Sequence, residues 1–368
     1  MIRKLHRTLG ICAIVFWLAQ VVTGIGIEGV WMFDGARYHG SGGEPSAAIL
    51  GRRLDGVIAE GAKTASLWAS GTVPGQMKIF YEDRSGAVRV RRLDGRGNVI
   101  YDMSATSLRN HEGILRALSD FHEAFLSGRT GSWMVALSGA LLCTNLALGL
   151  RLALRGRSRF WQDLFVRPRG SPGVRRYQLH KAAGLWVIIP ALVVAVTGTT
   201  LAVCKGLAVG DADPGLNPVS DDRPSGASNS SDRGVPTTTR QAIELALGQN
   251  PGSSLSAVSL PATSQGWYEV LLHRPDEIPR FWGTTRVYVS ARGAQVLSAS
   301  AIRQPLIGQV SEAIYPLHTG QISRLAGRIT ALCVGLALIL AFVLGLALWR
   351  TRRGARRAPG GSGRRAYP

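Results

Sequence analysis

Four apolar stretches punctuate the chain, at residues 9–27, 133–150, 185–203 and 329–349. A helix needs about 20 apolar residues to cross a hydrocarbon core, with a floor near 17, so each stretch predicts a membrane-spanning helix. The second is the least clean, because Thr144 and Asn145 fall inside it. Between the first and second spans the pattern changes to alternation. Residues 76–82, 87–93 and 98–103 predict strands, joined by turns at Asp83-Arg-Ser-Gly86 and Asp94-Gly-Arg-Gly97. Between the third and fourth spans, residues 239–247 predict a short helix stopped by Gly248 and Pro251. Strands follow at 254–260, 267–273 and 285–290, with a turn at Ala291-Arg-Gly293. The expected fold class is membrane α-helical: four transmembrane helices with two outer α+β modules.

Charge orients this frame. The 368 residues include 43 Lys and Arg against 23 Asp and Glu, a net +20 that alone suggests nucleic acid. Its distribution argues otherwise. Nineteen basic residues and a single acid, Asp163, lie in residues 1–8, 151–181 and 350–368. In a four-span topology these segments share one side, as the positive-inside rule requires of cytoplasmic segments. Both termini are therefore expected in the cytoplasm of a bacterial inner membrane, with two large periplasmic segments. The same arginines suit anionic headgroups, so the lipid bilayer, and no nucleic acid, accounts for the charge. The expected division is 1–27, first span; 28–130, first outer module; 131–154, second span; 155–181, basic cytoplasmic loop; 182–204, third span; 205–325, second outer module; 326–349, fourth span; 350–368, basic tail.

The halves repeat one another, making the spans a duplicated two-helix unit. His6-Arg-Thr-Leu-Gly10 and Thr23-Gly24 bracket the first span; His180-Lys-Ala-Ala-Gly184 and Thr197-Gly198 bracket the third, at an offset of 174. His122, Ser127, Gly139, Gly149 and Leu150 recur as His318, Ser323, Gly335, Gly345 and Leu346, at an offset of 196. The second outer segment is thus 22 residues longer. Residues 211–236, rich in Asp, Ser, Gly and Pro, suit a loop insertion.

Four of the seven histidines belong to the repeat. His6 and His180 sit at the cytoplasmic ends of spans, His122 and His318 toward the outer face. Each face thus has two, one from each half. Neutral imidazole is a good axial ligand for haem iron, and two saturate it. Gly10, Gly184, Gly128 and Gly320 would let a flat ring approach the backbone. No Cys-x-x-Cys-His is present, so a haem here is non-covalent and b-type. Polar residues that merely mark span ends are the plainer alternative, and from the residues alone both stand. Zinc is disfavoured, because no acid or thiol lies at fixed spacing from these histidines. His111 has no repeat partner, position 307 being Ile, and is expected on the surface; His39 and His273 receive no role.

His6-Arg-Thr-Leu-Gly10 with Thr23-Gly24, Leu317-His318-Thr-Gly320 and Gly345-Leu-Ala-Leu-Trp349 resemble the PepSY-associated transmembrane family over nearly the whole chain. The outer modules resemble PepSY domains in strand order and turn glycines. The resemblance implies an inner-membrane ferric-siderophore reductase, an oxidoreductase that moves electrons outward through one or two b-type haems. It implies His6, His180, His122 and His318 as haem-iron ligands, and a ferric chelate in the periplasm as acceptor. The sequence departs from the family pattern at Phe121-His-Glu-Ala124, where Leu-His-x-Gly is commoner, and at Lys181, where Arg follows His6.

The cytoplasmic loop, about 30 residues, is too short for a flavin or nicotinamide domain. The electron donor is therefore separate, a quinol or a cytoplasmic reductase. Gly24-Ile-Gly-Ile-Glu-Gly29 spells a dinucleotide fingerprint but lies at a span exit with no βαβ unit. The four Cys do not follow the repeat, and three lie in spans as small apolar residues. Trp17 and Trp186 are expected between the two faces in depth. The competing function is a non-enzymatic, membrane-anchored PepSY binding or regulatory module, in which the spans are only an anchor. A transporter is disfavoured because the spans nearly lack ionisable residues.

Overall fold

The computed structural model describes residues 1–38, 43–155, 160–166, 170–207, 234–261, 266–300 and 306–357. His39 and most of the expected insertion at 211–236 lie outside them. The first half runs α1 (Ile2–Arg37), α2 (Ala47–Ala59), β1 (Thr64–Ala69), β2 (Met77–Glu82), β3 (Val88–Leu93), β4 (Val99–Ser104), α3 (His111–Ala124) and α4 (Gly128–Leu154). A four-residue helix α5 (Phe160–Asp163) leads to the second half: α6 (Pro172–Leu207), α7 (Thr239–Gln249), β5 (Ser254–Ser259), β6 (Trp267–His273), β7 (Thr285–Ser290), β8 (Val296–Ser300), α8 (Leu306–His318) and α9 (Arg324–Arg357).

Helices α1, α4, α6 and α9 are long and apolar enough to cross a membrane. They close into a ring in which α1 and α6 each pack on both α4 and α9. The corresponding helices of the two halves are therefore diagonal. Val15, Val22, Leu137, Ile189, Leu336 and Val343 point outward and exposed, as lipid-facing residues must. The middle of the bundle is packed by Ala191, Val334 and Leu338 with Val21, Val187 and Phe342.

The two outer modules form one sheet. Its order is β4-β3-β2-β1-β5-β6-β7-β8, antiparallel throughout. The seam is β1 against β5, with Ser66 opposite Ser259, Leu67 opposite Val258 and Trp68 opposite Ala257. This pairing satisfies the edge strand that each module would otherwise expose. The Ser46 side chain caps α2, and a capping box of Thr238 and Gln241 opens α7. Both helices lie on the same sheet face and touch each other: a Cβ on Gly51 would come 2.9 Å from the Arg240 backbone nitrogen. Leu54, Val57, Leu67 and Ile79 from the first half share one core with Ile243, Val258, Val270 and Val287 from the second.

Strand alternation gives the sheet a second character on its other face. Met77, Ile79 and Tyr81 enter the helix-side core. Lys78 and Arg92 point the opposite way and meet Glu112 of α3 and Asp34 of α1. The sheet is thus bolted to the bundle by buried ion pairs.

Candidate functional site

The fold brings the four repeated histidines together in two pairs, each across the halves. His6 on α1 faces His180 on α6 with ring centroids 6.4 Å apart and planes inclined by 51°. His122 on α3 faces His318 on α8 at 6.2 Å and 43°. Two imidazoles sharing one metal through bonds of about 2.0 Å put their centroids roughly 6 Å apart. Both pairs stand at that separation.

In every ring Nδ1 is already engaged. His6 Nδ1 donates to the Asn145 carbonyl at 3.1 Å, and His180 Nδ1 to the Ala341 carbonyl at 2.9 Å. His318 Nδ1 donates to the Val194 carbonyl at 3.0 Å, with Thr197 Oγ1 at 3.4 Å. His122 Nδ1 donates to Thr23 Oγ1 at 3.0 Å and meets the Gln20 carbonyl. These partners obey the repeat offsets: 145 and 341, 20 and 194, 23 and 197. Each threonine hydroxyl donates back along its own helix, Thr23 to Ala19 and Thr197 to Val193 at 2.7 Å, which leaves its lone pair for the imidazole. A carbonyl can only accept, so the ring proton sits on Nδ1 and the lone pair on Nε2. No hydrogen bond among the described residues engages any of the four Nε2 atoms. One nitrogen fixed by an outer partner and the other open is the arrangement of a metal-ligating histidine.

Each imidazole also lies against a glycine of a neighbouring helix. A Cβ on Gly24 would meet His122 Cε1 at 3.2 Å, and one on Gly198 would meet His318 Cε1 at 2.6 Å. Gly149 stands in the same relation to His6 at 3.3 Å, and Gly345 to His180 at 3.4 Å. These glycines differ from those expected beside the rings. Gly128 and Gly320 have φ of +53° and +74° and turn the chain from α3 into α4 and from α8 toward α9. Gly10 neighbours Asn145, and Gly184 borders open space.

The residues fit an axially ligated macrocycle better than a bare ion. Among the described residues the one group of three metal-capable side chains is Asp34, His111 and Glu112, so neither histidine pair has the third ligand a zinc site needs. A macrocycle brings its own equatorial donors and requires only the pair. Beside His122 lies an apolar hollow of about 340 Å³, lined by Thr23, Ile114, Leu118, Phe121 and Leu126.

Trp17 lies between the two pairs in depth and is buried, its Nε1 donating to the Ser138 carbonyl at 3.0 Å and its ring 5.7 Å from Phe342. Trp186 differs from expectation. It is exposed, and its Nε1 donates to the Leu164 carbonyl at 3.0 Å, toward the end of the bundle that holds His180.

His111 is more than a surface residue. Its Nε2 is 3.3 Å from the Tyr101 hydroxyl and 3.5 Å from Glu112. The carboxylates around it already hold cations: Arg92 Nη1 is 2.5 Å from Asp34, and Lys78 Nζ is 2.7 Å from Glu112. This saturated cluster is a brace rather than a metal site. It fixes the first turn of α3, eleven residues ahead of His122, to α1 and the sheet. At the far end of α3, Lys205 pairs with Glu123 at 2.5 Å, and Arg129 donates to the Gly206 carbonyl at 2.7 Å. The helix that carries His122 is therefore held at both ends.

The family model described as PepSY-associated TM region matches residues 3–352. No curated protein matches the chain.

Proposed function

The chain belongs to the PepSY-associated TM family, and from that premise we propose that it is a haem b-containing transmembrane electron conduit. The observation that carries the proposal is the pair of cross-half imidazole couples, at 6.4 and 6.2 Å, with every Nδ1 engaged and every Nε2 open. His6 and His180 would hold one b-type haem, His122 and His318 a second. When bound between these pairs, haem would supply one-electron chemistry suited to electron transfer.

The chain's own contribution is positional. Asn145, Ala341, Val194 and Thr23 hold the imidazoles in one tautomer and one orientation. Gly24, Gly198, Gly149 and Gly345 keep the ring edges unobstructed. Along α1, the fourteen residues from His6 to Gln20 rise about 21 Å, and Trp17 with the Ala191–Val334–Leu338 packing lies in that interval.

In this reading both termini are cytoplasmic in a bacterial inner membrane. Electrons enter at the His6 end from a quinol or a cytoplasmic reductase. They leave at the His318 end for a ferric chelate in the periplasm, a ferric siderophore, whose hard-oxygen ligands grip ferrous iron less tightly. The test is the visible spectrum of detergent-purified protein before and after dithionite, with a pyridine haemochrome assay. The expected result is a sharp reduced α-band of bis-histidine b-type haem. A colourless protein after haem-supplied expression would reject the conduit and favour the anchored binding module.

A further inference from the structure

A cavity of about 460 Å³ opens between the loop after β6 and the start of α9. It is within the range of small-molecule sites. Its wall includes Arg280, Arg324 and Arg328, with Glu277 as the lining acid, and Arg274, which donates to Asp276 through Nε at 2.9 Å and Nη2 at 2.7 Å and so offers the cavity its Nη1. Glu277 is occupied: it accepts from the backbone N–H of Thr284 and Thr285 at 2.9 and 3.0 Å and from Thr285 Oγ1 at 2.6 Å.

Several donors of the same wall lack partners. Arg328 pairs with Glu28, yet its Nη2 is buried with no acceptor. Gln321 is 3 % exposed; its Oε1 accepts from the Phe281 N–H at 2.8 Å, while its Nε2 is left unsatisfied. His273 Nε2 is buried without a partner as well. Arg324 makes no ion pair among the described residues. Pro316 explains how Arg280 is held. Proline has no N–H to offer four residues back, so the Glu312 carbonyl is left over, and Arg280 Nη1 donates to it at 3.5 Å. Arg280 also lies over the Tyr315 ring at 5.7 Å. The first turn of α9 contains no acid, and its helix dipole adds positive potential beside Arg324.

Unpaired buried donors are costly unless a ligand satisfies them. We propose that this cavity binds the oxyanions of a soluble, carboxylate-rich ferric chelate and so presents the acceptor to the outer histidine pair. The proposal rests on the electron-conduit reading for its purpose, though not for the binding itself. Proximity supports it: Gln321 is three residues past His318, no more than about 11 Å along the chain. Phosphate of an anionic lipid headgroup shares the chemistry. The cavity favours the soluble ligand, because Gly252, Ser254, His273 and the residues from Arg274 to Phe281 belong to the outer sheet and its loops.

The test is calorimetric titration of the full chain in phosphatidylcholine nanodiscs with gallium(III) citrate, a redox-inert stand-in for the ferric complex. Binding is expected, weakened about tenfold or more in Arg324→Gln and in Arg274→Gln and unchanged in Arg240→Gln, which removes an equal charge on α7. Absence of binding, or equal binding in all variants, overturns the proposal. Displacement of gallium citrate when phosphatidylglycerol is added to the nanodiscs assigns the cavity to a headgroup and overturns it too. Haem content is measured in parallel. Its loss in the arginine variants would assign these guanidiniums to the prosthetic group instead. Haem-loaded protein that ignores gallium citrate sinks the pocket alone, whereas haem-free protein that binds it sinks only the conduit.

Discussion

His318 lies edge-on against Gly198: the space where a Cβ would sit is 2.6 Å from its Cε1. No real side chain tolerates that approach, so alanine here forces the imidazole or its helix to move. At the inner pair, the contact of His180 on Gly345, at 3.4 Å, is ordinary van der Waals distance. Gly198→Ala is therefore expected to reduce haem retention at the outer pair, by roughly tenfold, while Gly345→Ala leaves the inner pair nearly intact. Pyridine haemochrome stoichiometry on the two variants checks the asymmetry.

The outer imidazoles are anchored unequally. His318 keeps a carbonyl at 3.0 Å with Thr197 only at 3.4 Å, whereas Thr23 Oγ1 is a close partner of His122 at 3.0 Å. Thr23→Val should cost more than Thr197→Val, within the 10- to 100-fold in affinity typical of outer-shell partners. Haem-transfer rates to apomyoglobin compare the two directly. Equal rates would show that the hydroxyls do not hold the rings.

Arg92 is fully buried, and its charge is balanced by Asp34 on α1. Removing one partner leaves a buried charge, at about 3–5 kcal/mol; removing both costs less. Arg92→Met should lower the thermal midpoint in detergent markedly, and Asp34→Asn combined with Arg92→Met should recover part of the loss. A double variant worse than either single one would contradict the brace.

Burial by itself pushes Glu112 upward, but hydrogen bonding from His111 and the charge of Lys78 outweigh it and hold the carboxyl at about 2. Its unfolded value is about 4.3. A depressed folded pKa contributes stability that is complete above the unfolded value and is lost as pH falls toward the folded one. Thermal midpoints should therefore decline between about pH 4.5 and 2, and Glu112→Gln should flatten that decline. An identical slope in the variant would remove Glu112 from the explanation.

The spans and the histidine pairing were legible for physical reasons. A bilayer demands a long apolar run, and the offsets of 174 and 196 place His6 with His180 and His122 with His318. Helices α3 and α8, which carry the outer histidines, went unseen because each is a short, mixed segment against a long apolar neighbour. Strand β1, helix α2 and strand β8 escaped too. The single sheet was hidden because Leu67 pairs with Val258, and no local period records a contact that distant. Gly24 and Gly149 stood out as repeat positions. That each supports a histidine from another helix depends on packing alone.

The most direct test of the central claim is haem stoichiometry across paired histidine variants. Wild type is expected to carry two haems. His122→Ala with His318→Ala should retain one, as should His6→Ala with His180→Ala. His6→Ala with His122→Ala should retain none, because it breaks one ligand in each cross-half pair. Two haems in wild type with one surviving in that last variant would contradict the pairing, and no haem in wild type would contradict the conduit itself.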